Sequence, residues 1–347
     1  MTATPLDFAV PTADLTAAAY SHVPGYDAAS RDVAIAVEWM RALRETPPPA
    51  PLDPQAELRA AASAGQPFPL DLPRRVREGE HAGYDLAQSL QMAGQFLADA
   101  KARQAAALEH GADAGLGWLR PHLDETVAAV RERATALRVL NADSALHDPA
   151  AAQLLRDADA LTARYSAIRA VQRALVRAAC TSRGTDHGQR MYLVAGQVAD
   201  FIDRERAWLD RRVAQGRWPH DLGRLSKEQH ALRGWLTRPG EPVLDALTWL
   251  APLPSGSVAD QARALALIVS RATPWLPSIE QLTTAYEQAN FTTEGNALSP
   301  RDAEAGIRWL HRLEDVTGYL SAGAPPLPPE RAQGRPAFRH TVPFVNR

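Results

Sequence analysis

The sequence predicts an all-α fold: a long antiparallel helical bundle, then a compact array of shorter helices, then an extended Pro/Arg-rich C-terminal tail. Three observations predict it. Apolar residues recur at alternating steps of four and three for more than three heptads, the spacing that gathers side chains on one helix face. Helix punctuation brackets these stretches, with Ser, Thr or Asp before the apolar period and Gly or Pro after it. The one strand-like run, Ala266–Val269, has flanks at helical spacing and no partner strand in the sequence.

Taken in order, Asp27 or Ser30 is expected to cap a first helix carrying Val33, Val37, Met40 and Leu43. Pro47–Pro51 ends it, because proline lacks the N–H that a helix interior needs. A short helix can start at Asp53-Pro54 before an irregular stretch to Pro73. From about Ala82, the row Leu86, Leu90, Ala93, Leu97, Ala100, Gln104 and Ala107 marks a long helix, which glycines 111, 115 and 117 are expected to break. Leu119, Leu123, Val127, Val130, Ala134 and Leu137 mark a second, with Pro121 in its first turn.

The third helix opens at Asp148-Pro149 and stops by Gly184, about 50 Å at 1.5 Å per residue. Its row is Leu154, Ala158, Leu161, Tyr165, Ile168, Gln172, Leu175 and Ala179. A fourth is expected from Thr185 or Asp186 to Gly216, burying Met191, Ala195, Val198, Ile202, Leu209 and Val213. Short connections between long helices force antiparallel neighbours. Further on, Ser226–Gln229 and Ser278–Gln281 match capping boxes, and Ser257 and Ser299-Pro300 open two more helices. The expected organisation is residues 1–81 as a helix and Pro-rich linker, 82–216 as a four-helix bundle, 217–321 as a compact helical domain, and 322–347 as the tail.

The 347 residues suit about two domains at roughly 150 residues each. Hydrophobic residues make up 46% and charged residues 22%, and the net charge is −2, which is ordinary for a globular chain. Lys101 and Lys227 are the only lysines, so the basic side is almost all arginine. Abundant Ala and Pro accompany it, and all three residues have GC-rich codons. Forty acidic residues interspersed with the arginines leave no large field of one sign for a polyanion. A single cysteine, Cys180, rules out an intrachain disulfide, and its place beside the apolar row suits a small buried hydrophobe. With no signal-like start and no apolar run of membrane length, a cytoplasmic location off the membrane is expected, and the Asn290-Phe-Thr292 sequon carries no weight.

The sharpest chemical pattern is Trp218–Leu225, WPHDLGRL. His187, then His220-Asp221, then Asp245 or Asp260 supply imidazoles and carboxylates in an order that can hold a divalent cation and lower the pKa of a bound water. This HD pair resembles the core motif of the HD phosphohydrolase superfamily, which would imply metal-dependent phosphoester hydrolysis at those residues. Pro219 next to His220 favours local extended geometry, and the competing reading of the pair is an exposed helix start. Glu78-Gly-Glu-His81 has the spacing of a di-iron ligand pair but precedes the expected bundle. No phosphate-binding glycine loop, HExxH or GxSxG motif is present.

Gln104 and Gln172 interrupt apolar rows, so they are expected either to pair with one another or to lie at the row's edge and reach water. Trp208, Trp218, Trp235, Trp249, Trp275 and Trp309 cluster in the second half, where they can pack helices or stack bases. The functional expectation is a non-enzymatic scaffold or assembly protein without cofactor, binding another protein or a second copy of itself through long helices or the tail. A metal-dependent phosphohydrolase and an Arg/Trp-based nucleic-acid binder are the alternatives.

Overall fold

The computed structural model describes residues 6, 8–47, 52–203, 225–237, 253, 255–293 and 300–329. Among the described residues the protein is all-α, with ten α-helices, no strand, and one isolated bridge between Val198 and Pro274. In chain order they are α1 (Leu15–Ser21), α2 (Tyr26–Glu45), α3 (Pro54–Ser63), α4 (Leu72–Arg138), α5 (Pro149–Ala179), α6 (Thr185–Ala195), α7 (Lys227–Thr237), α8 (Val258–Arg271), α9 (Ile279–Thr293) and α10 (Pro300–Thr317). Contacts group the chain into two units, Met1–Thr126 with Ala163–Gln189, and Val127–Thr162 with Arg190–Arg347.

In the first unit, α2 begins after Gly25, whose φ of 79° suits a residue without Cβ, rather than at the Asp27 or Ser30 expected. Its buried row is Ala29 and Ala36 with Val33, Met40 and Leu43 half-buried, while Val37 points outward. The α3 start is as read: Asp53 accepts from the Gln55 N–H at 2.9 Å ahead of Pro54. The short α1 has no counterpart in the sequence reading.

The largest correction concerns α4, where Gly111, Gly115 and Gly117 lie inside one continuous helix of 67 residues instead of breaking it. A Cβ on Gly111 would sit 2.9 Å from Val23 Cγ1, and one on Gly115 would sit 3.0 Å from the Ala19 carbonyl oxygen. Both glycines therefore face α1 and its exit, and the bare backbone lets that helix approach. Its packing offsets the roughly 1 kcal/mol each glycine costs a helix interior. The apolar row continues unbroken through Leu116, Leu119 and Leu123, all fully buried. Pro121 is an interior residue here; the carbonyl it cannot bond, four residues back at Gly117, lies at an exposed position.

α5 returns antiparallel to α4: Leu175 meets Gly115 while Arg164 bonds Glu125, so numbers fall on one helix as they rise on the other. In the second unit, Arg133 donates to Asp157 at 3.5 Å, and Gln153 donates to Asp157 at 2.8 Å. The α5 start matches expectation, with Asp148 accepting from the Ala150 N–H ahead of Pro149. From Arg156 to Arg177 the helix is exposed along one narrow ridge and buried or half-buried elsewhere.

The helix expected to run to Gly216 stops at Ala195. Backbone pairing explains the stop: Ala199 donates to Thr273 and Trp275 donates to Gln197, while the Trp275 indole takes the Ala195 carbonyl that the helix end leaves open. Met191, Ala195, Val198 and Ile202 are nevertheless all buried, so the apolar positions were right where the conformation was not. Leu209, Val213 and Gly216 lie outside the described residues. The expected capping boxes close α7 and α9, where Gln229 and Gln281 bond back to Ser226 and Ser278. A further box, Ser257 with Asp260, starts α8. Ala266–Val269 is helical within it.

After α10 the chain folds back along that helix. Asp203 accepts from the Tyr319 hydroxyl, the Ser321 hydroxyl and the Ala322 N–H. His311 Nε2 donates to the Pro325 carbonyl at 2.7 Å, and Arg308 donates to that of Pro329. The first residues of the expected tail, 322–329, are thus docked; 330–347 lie outside the described residues.

Candidate functional site

The first unit carries one apolar groove, formed where α2 lies antiparallel to the front half of α4. Three contacts set the register. Gln104 donates to the Ser30 hydroxyl at 2.8 Å, Arg103 pairs with Asp32 at 2.9 Å, and the Trp39 and Phe96 rings lie 5.4 Å apart. Alanines at 36, 93 and 100 are the buried residues of this contact. Small side chains bring the two backbones together but cover little area, so the larger residues beside them stay partly open.

The groove has a volume of about 600 Å³; Trp39, Ala42 and Leu43 line it from α2, and Ser89, Met92 and Phe96 from α4. Trp39 is 51% exposed and Met92 63%. Between residues 85 and 110 of α4, Ala93 and Ala100 are the only buried positions, whereas between 111 and 126 the residues facing α1 and α5 are closed off from water. Ser89 supplies a hydroxyl to the groove lining, and none of the other lining side chains is titratable. Its chemistry is that of an apolar docking surface.

A polar cluster lies in the same unit, around Arg164. Arg164, fully buried on α5, donates to the Val10 carbonyl at 2.6 Å, to Glu125 at 3.0 Å and to His122 Nδ1 at 3.3 Å, with Phe8 stacked on its guanidinium. Trp118 lies edge-on to His122 and stacks on His22. Burial, and then the Arg164 charge, hold His122 below the usual histidine pKa, so its Nδ1 stays an acceptor. Both terminal nitrogens of Arg164 are occupied within the cluster while its Nε has no partner among the described residues, and the cluster anchors the segment around Val10.

Of the expected metal residues, His220, Asp221 and Asp245 lie outside the described residues. His187 sits partly exposed in the first turn of α6, its N–H bonded to the Gly184 carbonyl. Asp260 is committed to the Ser257 capping box and to Arg263, and those hydrogen bonds hold its pKa below the ordinary carboxylate value. Among the described residues no group of three His, Cys, Asp or Glu side chains could hold a metal ion. Glu78 and His81 lie exposed inside α4 rather than before a bundle. Cys180 is buried, which raises its thiol pKa and leaves it a packing residue.

Gln104 and Gln172 do not pair with each other: Gln104 bonds Ser30, and Gln172, fully buried, accepts from Arg169 at 2.7 Å. Trp235 is buried with its indole on Ser321, and Trp275 is bonded to Ala195, so both serve packing. Trp208, Trp218 and Trp249 lie outside the described residues. No family model, curated protein or solved structure matches this chain. Among the described residues no helix is long and apolar enough to cross a membrane.

The groove residues escaped the sequence reading because Trp39, Met92 and Phe96 stand beside the apolar rows rather than on them. A signal was present: Ser89, Met92 and Phe96 repeat the three-four spacing on a second row, shifted one position from Leu90, Ala93 and Leu97.

Proposed function

We propose that this protein is a non-enzymatic helical scaffold or assembly protein, and that it binds another protein through the open face of α2 and α4. One observation carries the reading. Of the eleven large hydrophobic side chains exposed among the described residues, seven fall between Ile35 and Met92. Five of the seven, Ile35, Val37, Trp39, Tyr84 and Met92, stand on α2 or the front of α4, and Trp39 and Met92 line the groove itself; exposed apolar side chains gathered at a groove mark interaction sites. The groove adds a concave shape to that surface, and its residues offer packing rather than chemistry.

Site-specific photo-crosslinking in the native cell tests this. A photoreactive residue at position 92 is expected to capture discrete protein adducts, while one at Leu146, which is 78% exposed outside the groove, captures few. Equal capture at the two positions would end the scaffold reading.

A further inference from the structure

We infer that the groove between α2 and α4 receives a basic amphipathic helix from a partner protein; this rests on the scaffold reading and specifies its partner. Shape comes first. Two antiparallel helices in contact leave a trough between their cylinders, and a third helix fills such a trough by ridge-into-groove packing. The trough here is apolar along its floor, with Trp39 and Phe96 at the centre and Met92 a turn away. A helix with apolar residues at i, i+4 and i+7 would cover it.

Charge decides which helix. On α2 the row beside the groove reads Asp27, Arg31, Ile35, Glu38, Ala42, Glu45, and on α4 it reads Asp85, Ser89, Met92, Phe96, Asp99, Arg103. Beside the lined part of the trough these rows place Glu38, Glu45, Asp85 and Asp99 against Arg103, while Asp27 and Arg31 lie about two to three turns beyond it. Arg103 is already paired with Asp32, and Glu38 with Arg41. Glu45, Asp85 and Asp99 are exposed and have no ion-pair partner among the described residues. An acidic rim around an apolar floor selects an occupant with Lys or Arg beside its apolar stripe. It disfavours a second copy of this face, which would bring the same excess of carboxylates, and it repels nucleic acid.

The test is calorimetric titration of the whole protein with two synthetic peptides in helical register, one of leucine and lysine and one of leucine and glutamate. Saturable one-to-one binding is expected for the lysine peptide and none for the glutamate peptide. Met92→Asp adds negative charge but spoils the floor, so it is expected to weaken binding about tenfold or more. Asp85→Asn with Asp99→Asn is expected to weaken binding and flatten its dependence on salt.

Circular dichroism melting checks that the exposed substitutions leave the fold intact. Undiminished binding to Met92→Asp would reduce the effect to unspecific charge attraction and overturn the inference. Equal binding of both peptides would overturn it too. So would a dimer, by light scattering, that dissociates on Met92→Asp. Adducts at position 92 together with any of these three results would leave the scaffold reading standing with a partner of different chemistry.

Discussion

Arg164 and His122 show how a buried charge is held and what it costs in acid. The guanidinium is removed from water, so its stability depends on Glu125, the Val10 carbonyl and an unprotonated His122 nitrogen. Because burial and Arg164 lower the His122 pKa in the folded state, the unfolded chain takes up a proton more readily. The sign follows: stability associated with His122 is present above the unfolded value of 6.5 and is lost progressively as pH falls below it. Chemical denaturation at a series of pH values is expected to show this loss, and His122→Asn, which keeps an acceptor but does not titrate, is expected to lessen it. None of this was visible in the sequence, where Phe8, Val10, His122, Glu125 and Arg164 are scattered over more than 150 residues. Local signals fared better. Asp53, Asp148, Ser226, Ser257 and Ser278 all stand at helix starts as read, since a cap acts within three or four residues.

At the scale of single elements, α4 separates a residue's propensity from its use. Glycine is a poor helix former, and three in seven positions read as a break. The reading failed because two of the three are explained by a neighbour, α1, that sequence periodicity did not reveal. The distinction is measurable. Nothing lies within 4 Å of a Cβ built on Gly117, so Gly117→Ala is expected to raise stability by about 0.5–1 kcal/mol. At Gly115 the new methyl meets backbone oxygen and Leu175 at 3.0 Å each, and Gly115→Ala is expected to lower stability by about 1–3 kcal/mol. Urea unfolding midpoints read both. The end of α6 teaches the converse: the apolar spacing continued past Ala195, but partners from 273–275, some eighty residues on, claimed the backbone. Periodicity reports which side chains go inside, and it does not report which backbone groups they travel with.

For the whole molecule, fold class was legible and the candidate site was not, for one physical reason. Burial in long helices repeats every three or four residues and leaves a strong pattern, whereas the groove is defined by apolar residues that are not buried. The docked end of the described chain yields a further prediction. Proline has no N–H to offer, so Pro325 and Pro329 can be held through their carbonyls, and His311 and Arg308 supply the donors. Removing residues from 321 onward, which takes away the partners of Asp203 and His311, is expected to lower the melting temperature by several degrees. His311→Ala, which breaks one such bond, is expected to lower it by less, read by the same thermal scan.

Asp203 gives that difference its meaning. A carboxylate with three donors drawn from residues 319–322 ties a point before α7 to the segment that follows α10, much as a drawstring closes a bag at its mouth. During synthesis those donors emerge more than a hundred residues after the acceptor. The second unit therefore gains this tie only once residue 322 has left the exit tunnel, and a nascent chain stalled short of residue 319 lacks all three of these hydrogen bonds.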